Sequence, residues 1–98
     1  MALKIRWYKK AEAKFDKIVE YLEVEWGEKS AEDLVQKVNR VLNLIKVYPE
    51  LGTMEVPHRN IRGVLIVKQL RIFYVVDKKE IKIIQVFDTR KSPRRRLK

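Results

Sequence analysis

Cysteine is absent from the 98-residue chain, and histidine occurs once, at His58. The first absence excludes disulfide scaffolds and thiolate chemistry; the two together exclude a zinc centre. Glycine and proline number three each, and the chain has no internal repeat or low-complexity tract. No apolar run approaches the roughly 20 residues that a membrane-crossing helix needs. The opening, MALKIRWYKK, lacks the apolar core of a secretory signal. A cytoplasmic location with no membrane partner is therefore expected. Gly-rich phosphate loops, paired carboxylates and Ser–His–Asp arrangements are not evident either, so no cofactor and no metal are expected.

What is present is a core and a large positive charge. Hydrophobic residues make up 46% of the chain, enough for one compact domain spanning residues 1–98. Lys and Arg number 23 against 13 Asp and Glu, a net charge of +10. Residues 1–50 carry 10 basic and 9 acidic side chains, whereas residues 51–98 carry 13 and 4. Nearly the whole surplus thus belongs to the second half, which predicts an acidic partner: nucleic acid, an anionic surface or an acidic protein. A basic tail, residues 91–98, closes the chain as KSPRRRLK.

Hydrophobic periodicity orders the elements. Leu3, Ile5 and Trp7 alternate with Lys4, Arg6 and Tyr8, the pattern of a half-buried strand. Ala11, Phe15, Ile18 and Leu22 then follow helical spacing, and Gly27 marks a helix end. Ser30 with Asp33 resembles a capping box opening a second helix, whose stripe is Leu34, Val38, Val41, Ile45 and Tyr48 before Pro49 stops it. Residues 51–60, with Gly52, Pro57 and Asn60, read as a loop. Three runs rich in Val, Ile, Phe and Tyr follow at 61–67, 70–76 and 81–87, the signature of an antiparallel meander. The predicted fold is α+β in the order β-α-α-β-β-β, a helical hairpin packed on one face of an antiparallel sheet with the other face open.

Cations on the meander are the distinctive feature. Arg71 lies in LRIFY, where alternation puts it on one face with Phe73 and Val75 and turns Ile72, Tyr74 and Val76 to the other. Arg62 opens the first meander strand, and Arg90 and Lys91 follow the last. Adjacent strands are expected to bring Arg62, Arg71 and Arg90 together near one end of the open face. Three planar forks there would seat a nucleic-acid backbone or a carboxylate-rich peptide. The plainer alternative for Arg71 is a surface ion pair with Asp88 or Glu80. For His58, beside Arg59, incidental placement stands against a proton-transfer role. The acids Glu20, Glu23, Glu25, Glu28, Glu32 and Asp33 read as solvated helix faces.

The stretches EWGEKSAEDL (25–34), YPELG (48–52), IRGVLIVKQLRIFYVVD (61–77) and VFDTRKSP (86–93) resemble, in order and spacing, the RelE/ParE superfamily of toxins from type II toxin–antitoxin modules, often called plasmid-stabilisation proteins. The resemblance implies a helical hairpin on an antiparallel sheet and a cognate antitoxin whose acidic segment covers the basic face. Operator DNA would be reached only through that antitoxin. It also implies one of two targets. RelE-like toxins cut mRNA in the ribosomal A site; ParE-like toxins inhibit DNA gyrase. By resemblance, Arg71 and Arg90 would be catalytic in an RNA-cleaving member, with Arg62 a third cation on the scissile phosphate. The tyrosine, or His–Tyr pair, that such members carry near the C-terminus for proton transfer has no counterpart in KSPRRRLK; His58, Tyr74 and Asp88 are the substitutes at hand. The missing tyrosine favours the ParE-like reading, with ribosome-dependent mRNA cleavage as the alternative.

Overall fold

The computed structural model describes residues 3–88. Strand β1 (Lys4–Trp7) leads into helices α1 (Lys9–Trp26) and α2 (Glu28–Val47). After them come β2 (Thr53–Val56), a 3₁₀ turn (Pro57–Arg59), and β3 (Ile61–Val67), β4 (Leu70–Asp77) and β5 (Glu80–Asp88). The strands form one sheet in the order β1-β5-β4-β3-β2. The helices pack on one face, as the sequence predicts.

Periodicity explains what is buried. Ala11, Ile18 and Leu22 of α1 and Ala31, Leu34, Val38, Leu42 and Ile45 of α2 meet Leu70, Ile72 and Tyr74 of β4 and Ile81, Ile83 and Val86 of β5 in a single core. Phe15 stacks on Trp7 with ring centroids 5.4 Å apart. The α2 stripe drifts from the expected one: Leu42 is buried more deeply than Val41, and Tyr48 is exposed. A straight helix of 3.6 residues per turn rotates away from a strict 4-3-4-3 pattern over 20 residues. Gly27, at φ 98°, forms the break between the helices, a conformation that L-residues with a Cβ rarely adopt. Because Gly27 takes the cap position, the expected capping box does not form. Helix α2 starts at Glu28, and the Ser30 hydroxyl instead donates to the Trp26 carbonyl at 3.2 Å.

Two features of the sheet were not expected. Part of the segment read as a loop, TMEV at 53–56, is an edge strand antiparallel to β3. At the other edge β1 runs parallel to β5, pairing Ile5 with Ile81 and Trp7 with Ile83. The meander β3-β4-β5 is antiparallel throughout. No helix among the described residues is long and apolar enough to cross a membrane.

Candidate functional site

The side-chain period of two in a strand decides which residues can share a surface. In β4 the even-numbered Leu70, Ile72 and Tyr74 face the helices, leaving Arg71, Phe73 and Val75 on the open face. Pairing of Leu65 with Arg71 and of Arg71 with Phe87 extends that face across three strands. The result is a shallow groove of about 750 Å³ bordered by Glu55, Ile61, Arg71, Phe73, Ile84 and Phe87. The Phe87 ring also has the Lys14 ammonium 5.9 Å from its centroid, within cation–π range.

At the centre of the groove Arg71 Nη1 donates to Glu55 Oε2 at 3.0 Å, with the two side chains 40% and 31% exposed. Glu55 comes from β2, two strands away, and reaches Arg71 through two local devices. The β2–β3 register passes from Met54↔Arg62 to Val56↔Ile61, so Glu55 is the extra residue of a β-bulge, a feature that re-aims side chains. Between them on β3 stands Gly63. A Cβ there would lie 3.0 Å from Glu55 Cγ and 3.1 Å from both Glu55 Oε2 and Phe73 Cε1. The carboxylate therefore crosses β3 where the strand presents no side chain.

The opposite face carries a different network. Tyr74 is fully buried; its hydroxyl accepts the Gly52 N–H at 2.8 Å and donates to the Pro49 carbonyl at 2.9 Å. Burial raises its pKa above the ordinary 10.0, with the Gly52 N–H and the Arg62 charge pulling in the other direction. Arg62 Nη1 donates to the Gly52 carbonyl at 2.8 Å and to the Glu50 carbonyl at 3.4 Å. Together they pin the YPELG segment between α2 and β2 to the sheet.

The expected meeting of Arg62, Arg71 and Arg90 is thus corrected for its first two members. Arg62 stands opposite Tyr74 and Arg71 opposite Leu65, and an odd offset along a strand puts residues on opposite faces. Arg90 and Lys91 lie outside the described residues, as does the tail. Neither predicted ion-pair partner serves Arg71: Asp88 is buried opposite Leu70, and Glu80 faces Arg6 at 3.4 Å. His58 is exposed in the 3₁₀ turn. Glu55 was missed by sequence reasoning. The signal was present in TMEV, where Thr53 and Glu55 alternate with Met54 and Val56, but four residues are too few to separate a strand from a loop. On the hairpin the six acids are exposed, as expected, and so are Val24 and Trp26, by 81% and 68%.

Comparison with known proteins places this geometry in context. The family described as "ParE toxin of type II toxin-antitoxin system, parDE" matches residues 5–93. A search of curated proteins gave no match. Among solved structures, a chromosomal ParDE toxin–antitoxin system from P. aeruginosa is similar at TM-score 0.72 and 23% identity, over 89% of this chain and 96% of that one. A YoeB/ParE toxin from Agrobacterium tumefaciens is similar at TM-score 0.63 and 16% identity, over 88% and 98%. A YoeB–YefM complex from Staphylococcus aureus is similar at TM-score 0.60 and 19% identity, over 89% and 97%. At these identities the structural likeness establishes the fold.

Proposed function

Because the chain belongs to the ParE toxin family of type II toxin–antitoxin systems, we propose that it arrests growth by binding and inhibiting DNA gyrase and is neutralised by a cognate antitoxin seated on the open sheet face. The open groove is the observation that carries this reading. Its one described arginine fork is held by a carboxylate and walled by Phe73, Phe87, Ile61 and Ile84. Aromatic and aliphatic walls around a guanidinium make a protein-binding surface, where arginine and aromatic residues concentrate binding energy. An antitoxin partner accords with the ParDE system and the YoeB–YefM complex among the similar structures, and an acidic segment in it would complement the net charge of +10.

Arg71 belongs to that interface; Arg90 and Lys91, outside the described residues, are assigned to antitoxin binding on the sequence alone. Arg62 acts from behind, holding the segment from which β2 and Glu55 emerge. Cutting RNA at the 2′-hydroxyl would require one group to take that proton and another to protonate the leaving oxygen. Tyr74 is committed to Gly52 and Pro49 on the covered face, and Asp88 is buried there too.

The test is inducible expression with transcript ends mapped, alongside a supercoiling assay with purified gyrase. Inhibited supercoiling with intact message is the expected result. Message cut in the ribosomal A site, lost in Arg71→Ala with the fold retained, would replace this reading with ribosome-dependent cleavage.

A further inference from the structure

We propose that Glu55 is a gate on Arg71: an internal carboxylate that holds the guanidinium until a carboxylate of an acidic, apolar peptide replaces it in the open groove. The proposal rests on the reading of this face as the antitoxin site and adds the residue that sets its selectivity. Three observations carry it. The β-bulge at Glu55 directs an edge-strand side chain inward over the sheet. Gly63 leaves the path that this side chain takes. Both members of the pair remain partly exposed, and an ion pair in contact with water is weak enough to exchange.

Exchange then depends on what accompanies the incoming carboxylate. A peptide that lays apolar side chains on Phe73, Phe87 and Ile84 removes water from around Arg71, and the same charge pair is stronger there than Glu55 makes it in contact with solvent. A ligand offering charge alone gains nothing over Glu55 and is repelled by it. A chain of net charge +10 attracts polyanions of every kind, so a carboxylate at the centre of its groove rejects those without apolar contacts to add. Specificity of this kind comes from an unfavourable element set against the wrong partner. Nucleic acid is the less fitting occupant: successive phosphates call for several cations, whereas Arg71 and Glu55 together are neutral.

The experiment measures fluorescence anisotropy of a labelled ten-residue peptide of alternating Glu and Leu, with a ten-nucleotide single-stranded RNA as the second probe. The proteins are the full chain and its Glu55→Gln, Gly63→Ala, Arg71→Gln and Glu55→Gln/Arg71→Gln variants, each checked by thermal melting. Glu55→Gln should tighten the peptide by about fivefold, the upper range for an exposed pair, and Arg71→Gln should weaken it. In the double variant the Glu55→Gln gain should vanish, because the two side chains act as one unit. Gly63→Ala keeps the net charge but puts a methyl group in the path of Glu55, and should give a gain of the same sign. The gate is overturned by any of four results: no gain in Glu55→Gln, an equal gain without Arg71, a gain absent from Gly63→Ala, or a preference for the peptide over the RNA that Glu55→Gln leaves undiminished. None of these touches inhibition of gyrase supercoiling by the native chain, which tests the functional reading separately.

Discussion

The two faces of one sheet use arginine in opposite ways. On the covered face Arg62 donates to the carbonyls of Gly52 and Glu50 beside the buried Tyr74 hydroxyl. Those acceptors belong to the backbone and cannot leave, so this network is architecture. On the open face Arg71 donates to a partly exposed side chain on a bulged edge strand, and that acceptor can be displaced. The contrast separates a cation that fixes the fold from one available to a partner. Its tests therefore run from large stability effects on the covered face to a small one on the open face.

Gly52→Ala should be the most damaging. A Cβ there would stand 2.7 Å from the Tyr74 hydroxyl oxygen and 2.8 Å from the Gly63 carbonyl oxygen, and backbone cannot yield as a flexible side chain can. Overpacking together with a broken buried hydrogen bond predicts a loss of about 3 kcal/mol, measurable by urea denaturation. A loss under about 1 kcal/mol would mean that the Tyr74 network is not what holds the link.

Tyr74→Phe comes next. It strands the Gly52 N–H and the Pro49 carbonyl, at a cost of about 2 kcal/mol. It also carries a pH signature. Burial holds the Tyr74 pKa above its ordinary 10.0, so the folded chain keeps this proton more tightly than the unfolded one. The stability it contributes is full below pH 10 and declines as pH rises through the raised folded-state value. Tyr8, Tyr21 and Tyr48 are exposed and remain in the variant. The native-minus-variant difference in stability should therefore shrink above pH 10; a constant difference would contradict a buried, hydrogen-bonded hydroxyl. Arg62→Ala should follow at about 1.5 kcal/mol, the lower range for hydrogen bonds from a charged donor.

How much of this was legible in the sequence follows from periodicity. The hairpin, the meander and the placement of Arg71 with Phe73 against Ile72 and Tyr74 all follow from spacings of 3.6 and 2. Register is another matter. Whether Arg62 shares a face with Arg71 depends on which residue of β4 it meets, and a shift of one position would reverse the answer. Nothing local in Ile61–Val67 fixes that. Glu55 was invisible for a related reason: its role comes from a bulge and from a glycine on the neighbouring strand, both set by pairing between segments. Ser30 shows local signals overruled, since Gly27 took the turn that the capping box would have made. For Tyr74, alternation predicted the buried face but not the backbone groups waiting there.

Arg71→Ala is expected to have the smallest effect on stability and sharpens the comparison most. Its ion pair is exposed, so its loss should cost less than about 1 kcal/mol, below any of the covered-face variants. Its effect on function should be the reverse: weaker association with the proposed antitoxin, read by surface plasmon resonance. The charge contribution to that association is screened over roughly 8–10 Å. The gap in association rate between the native chain and the variant should therefore narrow as ionic strength rises. Arg62→Ala, compared at a temperature where both variants remain folded, should leave that salt dependence near native, because its guanidinium faces the other way. If the two variants lose stability equally and change the salt dependence equally, the division of labour between the faces is wrong, and the arginines act as one cationic surface after all.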